Sequence, residues 1–290
     1  LNSCLRRQAP QVTEVDPGVL EAFLRVGRYR HGSRSLETIV RMSALAGKQK
    51  FELSSLPPDN VLGMHVPAAE FTALTRRAYA RPLRVGITGH INLDPARMEE
   101  LENGVARAVG YLSQLYPDRA LTVFSPMAVG ADRLVARELL KQPGARLIAV
   151  LPVPAEDYIN DFGTTDDHAA DYSGAELRQE FRHWLTNRAC EVIEMGPTPT
   201  RDEAYRQAGY EVAGHCHVLM AVWDGQGAQG VGGTAEIVAR AAQRGVPVIH
   251  VWAGNHKKDP TRRTTVGEKH GQFRTLNFPG QEPGVWSSER

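Results

Sequence analysis

The chain changes character at Arg81-Pro82. Upstream, from Asp16 to Ala80, apolar residues recur at helical spacing: Leu20, Phe23 and Leu24, then Leu36, Ile39, Val40 and the run Met42-Ser43-Ala44-Leu45. Side chains three and four positions apart share one face of a helix, so this pattern predicts short helices and no convincing strand. Ser33 or Ser35 is placed to cap the helix that starts near Leu36. Pro57-Pro58-Asp59-Asn60 breaks the run, and Phe71 to Tyr79 predicts a last short helix. Residues 1–14 are polar and expected to be mobile.

Downstream, short apolar runs alternate with amphipathic stretches. Strands are predicted at Leu83–Thr88, Leu121–Phe124, Arg146–Leu151, Cys190–Glu194, Val218–Trp223 and Pro247–Trp252. Helices are predicted from Asp94 to Leu115, Ala131 to Leu140, Ala175 to Ala189, Glu203 to Cys216 and Thr234 to Arg244. Asp94 caps the first of these, with Pro95 in its first turn. Apolar strands joined by helices imply an α/β fold, a Rossmann-like parallel sheet with helices on both faces. The expected organisation is a flexible N-terminus (1–14), a helical segment (15–80), the Rossmann-like domain (81–254) and a polar, basic tail (255–290).

Composition narrows the partners. A formal charge of +1 over 290 residues gives no electrostatic reason to expect nucleic acid. No apolar run approaches the roughly 20 residues of a membrane span, and Leu1–Arg7 lacks the apolar core of a signal peptide. The three cysteines, Cys4, Cys190 and Cys216, have no metal spacing, so reduced thiols in a cytoplasmic protein are expected. His168, His183, His215 and His217 share no ligand spacing either. No metal and no cofactor is expected.

Ligands of open α/β sheets bind beyond the carboxyl ends of the strands, and three turns there carry candidate chemistry. The first is Thr88-Gly89-His90, in which His90 can bond a ligand or cap a turn. The second runs from Ser125 through Gly130, Ala131, Asp132 and Arg133, with Arg133 a candidate anion partner or a surface ion pair. The third follows Trp223, from Asp224 and Gly225 through Gly230, Gly232, Gly233 and Thr234 to Glu236, with five glycines in the nine residues 225–233. Such a turn opening a helix offers unpaired N–H groups and a positive dipole end to a phosphate. Gly233 is expected nearest the anion, and Thr234 can add a hydroxyl. The absence of a following lysine excludes a Walker A loop. Tyr158, Asp161 and Phe162 are expected to cover the pocket or pack on the sheet edge.

Taken together, Val85-Gly86-Ile87-Thr88-Gly89-His90, Ala128-Val129-Gly130-Ala131-Asp132-Arg133, Val150-Leu151-Pro152, Ala204-Tyr205-Arg206-Gln207-Ala208-Gly209, Ala221-Val222-Trp223-Asp224-Gly225 and Gly232-Gly233-Thr234-Ala235-Glu236 resemble the SLOG superfamily. That group includes the Smf/DprA proteins, the LOG-type phosphoribohydrolases and ligand-sensing domains of defence systems. The resemblance implies recognition of a nucleotide-like small molecule by a sensor or regulatory module that assembles as a homo-oligomer. Its enzymatic alternative is N-glycosidic cleavage of a nucleoside monophosphate, with Glu236 and Arg133 catalytic. The chain departs from the PGGxGTxxE turn of those enzymes, since Gln229 replaces the proline, Val231 a glycine, and Ile237 the final glutamate. A DprA-like nucleic-acid binder is the weaker alternative. Upstream, Gly32-Ser33-Arg34-Ser35-Leu36-Glu37 resembles the sensor-2 motif of AAA+ lids, which implies a partner or fused domain N-terminal to this segment.

Overall fold

The computed structural model describes residues 1–77, 81–117, 119–163, 174–227 and 231–278. The chain forms two compact units, Leu1–Arg81 with Pro117–Ala120, and Pro82–Tyr116 with Leu121–Arg290. Among the described residues no helix is long and apolar enough to cross a membrane.

The smaller unit contains α1 (Asn2–Gln8), α2 (Pro17–Arg25), α3 (Ser33–Met42), α4 (Asp59–Leu62) and α5 (Ala68–Arg77). Asp16 caps α2 by accepting from Gly18 N and Val19 N, with Pro17 in the first turn, where its missing N–H costs nothing. Val19, Ala22 and Phe23 then face a core in which Phe23 meets Phe71 edge-on, ring centres 5.2 Å apart. Two findings depart from the sequence pattern. The polar start is helical, with Cys4 and Leu5 buried in that core. A two-residue parallel pair also joins β1 (Glu14–Val15) to β2 (Lys50–Phe51), too short to leave a period-two signature. Ser35 accepts from His31 N at 3.0 Å, closing the turn before α3, while Arg34 is exposed.

The larger unit is built on β3 (Leu83–Gly89), α6 (Met98–Leu115), β4 (Leu121–Ser125), α7 (Ala131–Leu139), β5 (Arg146–Leu151), α8 (Ala155–Tyr158), α9 (Gly174–Asn187), β6 (Ala189–Glu194), α10 (Arg201–His215), β7 (Val218–Trp223), α11 (Thr234–Gln243), β8 (Val248–Trp252) and β9 (Phe273–Leu276). The sheet order is β6-β5-β4-β3-β7-β8-β9, parallel throughout except for β9, which runs antiparallel to β8. Alternation in β7 shows why the strands read as uninterrupted apolar runs. Val218, Met220 and Val222 enter one core, and Leu219, Ala221 and Trp223 enter the core on the opposite face.

From β3 the chain steps outward to β4, β5 and β6, then returns to β7 on the other flank. The crevice between the ends of β3 and β7 is therefore a topological switch point, where helices leave to opposite sides. Of the polar tail expected at 255–290, the described part, 255–278, is structured. Residues 255–265 turn back over the end of β8, and β9 extends the sheet while Phe273 and Phe278 pack against Tyr111. The polar composition of the segment leading up to it concealed the four-residue edge strand β9.

Candidate functional site

A cleft of about 590 Å³ opens over the carboxyl ends of β3 and β7. Its floor is the β3 turn from Thr88 to Asn92. One flank is the start of α11, another is Asp132 on α7, and Arg201 and Tyr205 of α10 form a third. The segment after β8 closes the remaining side with Asn255, Lys257, Arg262 and Thr264.

The α11 flank is built by one glycine and one carboxylate. Gly232 sits at φ +76°, and a Cβ there would lie 2.8 Å from Arg206 N, so no other residue fits the turn without strain. Glu236 reaches back from the first turn of α11. Its Oε2 accepts from Gly232 N at 2.8 Å and its Oε1 from Tyr210 Oη at 2.6 Å. Burial raises the Glu236 carboxyl, but these two donors and Arg206 outweigh it and hold the pKa below its ordinary value. The N–H groups of Gly233, Thr234 and Ala235 have no partner among the described residues, and all three residues line the cleft. Beside them on the floor, Thr88 is only 8% exposed and its hydroxyl has no partner among the described residues.

His90 and Asp224 tie the floor together. His90 N donates to Val222 O and its carbonyl accepts from Ala131 N, so three turns meet at one residue. Its Nε2 lies 3.1 Å from Asp224 N and 3.3 Å from Asp224 Oδ2. The Asp224 N–H donates to Nε2, which makes that nitrogen an acceptor, and Nδ1 faces the Asn255 side-chain amide at 3.4 Å. Asp224 also accepts from Thr264 Oγ1 at 2.5 Å and from Gln226 N at 3.0 Å. Burial pushes its carboxyl up, yet His90 and these donors prevail and bring it down to about 2. It is a fixed anion that organises the floor.

Asp132 is the opposite case. It is 4% exposed, and its Oδ2 accepts from Ala128 N at 3.1 Å. Burial lifts its pKa to about 7, with Ala128 N–H and Arg133 lowering it only in part. A carboxyl poised near neutrality in a cleft can hold or release a proton there. Across from it, Arg201 is clamped by Asp161 at 3.0 Å and Asp157 at 2.9 Å, and Tyr205 donates to the same Asp161.

Of the residues expected at the site, Thr88, Gly89, His90, Asp132, Asp224, Gly232, Gly233 and Thr234 line the cleft. Gly230 lies outside the described residues. Ser125 is fully buried and accepts from Met127 N, Ala131 packs beneath Gly89, and Gly225 packs on Trp252. Gly130, at φ +82°, lets the α7 turn cross the β3 turn, where a Cβ would stand 2.2 Å from Ile91 O. Arg133 is not at the cleft. It is 3% exposed, paired with Glu180 at 2.6 Å and stacked on Phe162, because the helix turn that aims Asp132 at the cleft sends the next residue toward α9. Glu236 does not line the cleft either, being taken up by Gly232 and Tyr210. Gly233, expected nearest the anion, lines the cleft at φ −73°, and the left-handed position of the turn is Gly232 at φ +76°. Tyr158 lines the cleft yet is 1% exposed, and with Phe162 it packs into the core, while Asp161 belongs to the arginine clamp. Sequence reasoning missed Arg201, Tyr205, Asn255, Lys257, Arg262 and Thr264. Only the tertiary fold brings α10 and the post-β8 segment to the strand ends.

Comparison with known protein families finds none whose model matches this chain, and comparison with curated proteins finds no match.

Proposed function

We propose that the larger unit is a SLOG-like recognition module that binds a nucleotide-like phosphate ligand in the β3/β7 cleft, as a sensor rather than as a hydrolase. The observation that carries this reading is the set of N–H groups of Gly233, Thr234 and Ala235, without a partner among the described residues, at the start of a helix that lines the cleft together with Thr88. Helix N-termini attract anions through these groups and the macrodipole. A cleft of about 590 Å³ is of ordinary small-ligand size.

The residues that would carry N-glycosidic cleavage argue against turnover. Glu236 serves the loop, Arg133 serves the core, and Ile237, which stands where the resembled enzymes have their final glutamate, is buried against Gly209. One observation favours the enzymatic alternative, a carboxyl near neutrality at Asp132, suited to general acid–base work. A thermal-shift screen of nucleotides with product analysis of each hit separates the two. A ligand at a hundred times its Kd is expected to stabilise the protein by roughly 2.7 kcal/mol without chemical change. Release of a free base abolished by Asp132→Asn would select the enzyme, and no stabilisation by any nucleotide would reject both.

A further inference from the structure

The cleft is electrically lopsided, and the strand order says how. Asp132 follows β4 and Asp161 follows β5, on one side of β3. Asp224 and the start of α11 follow β7, and the two cations Lys257 and Arg262 follow β8, on the other. With adjacent strands about 4.8 Å apart, β4 and β8 are separated by roughly 14 Å across the sheet. The carboxyl side gains little from its own cation, because Arg201 is already held by two carboxylates.

The basic side is a built structure. Residues 255–264 form a strap whose ends are joined by Thr264 N to Asn255 O and Asn255 N to Thr264 Oγ1, each at 3.0 Å. His256 N donates to Asn92 O, fastening the strap to the floor, and Thr264 Oγ1 bonds the Asp224 anion. Within it, Asp259 caps a single turn through Thr261 N, and Arg263 Nε donates to Lys257 O at 2.7 Å. This bracing holds Lys257 and Arg262 on the cleft wall.

We propose that the strap is the second half of an anion site, so that a phosphorylated ligand lies across β3 in one direction only, its phosphate between the start of α11 and Lys257 and Arg262, and a neutral hydrogen-bond donor on Asp132 and Thr88. The inference rests on the nucleotide reading and adds the strap residues and the ligand's orientation. A phosphate bears close to two negative charges at neutral pH. The reverse orientation would set it against Asp132 and Asp161 and out of reach of Lys257, Arg262 and the start of α11. The donor end is a sugar hydroxyl or a base N–H, for both satisfy a carboxyl oxygen and a threonine hydroxyl.

The test is calorimetric titration of the full chain with the four ribonucleoside monophosphates, each beside its nucleoside and its dideoxy analogue, and with inorganic phosphate. The double variant Lys257→Glu/Arg262→Glu is expected to weaken the bound monophosphate at least tenfold and leave its nucleoside within twofold. Asp132→Ala is expected to weaken monophosphate and nucleoside by the same factor and leave inorganic phosphate unchanged. A wild type that disfavours the dideoxy analogue places the donor on the sugar; one that does not places it on the base. Equal losses of nucleoside and monophosphate in the strap variant, or lost phosphate affinity in Asp132→Ala, would overturn the orientation. A wild-type chain that binds none of the panel would instead defeat the nucleotide reading beneath it. Melting curves of each variant separate a lost contact from a lost fold.

Discussion

The starts of α7 and α11 look alike in sequence, a glycine, a small residue and an acid within the first turn after a strand, yet they face the cleft with opposite chemistry. At α7, Gly130 crosses under the β3 turn, Ala131 N is taken by His90 O, and Asp132 turns its carboxyl to the cleft. At α11, Gly232 holds the turn open and Glu236 folds its carboxylate back onto Gly232 and Tyr210. Three N–H groups are left facing the cleft. A glycine-rich strand-to-helix junction is therefore not in itself an anion site; what decides is where the first-turn acid goes.

The sharpest way to break this contrast is at Asp132. Its folded pKa, about 7, lies above the ordinary 3.8, so the folded state binds the proton more tightly than the unfolded. The associated stability is fully present below about pH 4 and is lost as pH rises through about 7. That shift corresponds to roughly 4 kcal/mol between the two limits. Asp132→Asn is expected to flatten this part of the profile, and to be more stable than wild type at pH 8 in denaturant titrations. An unchanged pH profile would mean that the carboxyl is as solvated as any surface acid, and the α7 flank would lose its distinction.

Next in size is Gly232→Val. Strain at φ +76° and the Arg206 backbone 2.8 Å from the new Cβ are expected to cost roughly 1–3 kcal/mol and to remove the ligand-dependent rise in Tm. Gly233→Ala, at an ordinary φ, serves as the control that keeps the fold. If both variants keep the full ligand shift, the cradle is elsewhere. Thr88→Val sharpens the contrast at its midpoint, since the hydroxyl lies between the two flanks. It is expected to weaken ligand binding by about 1 kcal/mol, as for one hydrogen bond, without a change in unfolding. Smallest is Glu236→Gln, which keeps an acceptor for Gly232 N. A change under about 1 kcal/mol in stability and retained binding are expected. Abolished binding would return Glu236 to the ligand.

How far the site was legible follows from these residues. Thr88, His90, Asp224 and the Gly232–Thr234 turn could be assigned because each directly follows an apolar strand, and in a parallel sheet strand ends gather on one edge. Arg133 and Glu236 do not line the cleft, because position beside a turn does not fix side-chain direction. A residue's rotation of about 100° per helical step does, together with the partner waiting there, Glu180 for one and Gly232 and Tyr210 for the other.

The order of strands and helices, the parallel sheet and the change of character at Arg81 were determined by the sequence alone, since period and burial on two faces write themselves into local composition. The helical N-terminus and β9 were not, because Cys4 and Leu5 or four half-buried residues gain their burial only from partners distant in the chain. Nor were the clamp on Arg201 and the strap that brings Lys257 and Arg262 to the cleft, whose key bonds join residues such as Asp161 and Arg201, or Asp224 and Thr264, each pair 40 positions apart. Local pattern specifies which surfaces must be buried; the field at the strand ends arises from charges that meet only when the whole sheet has formed.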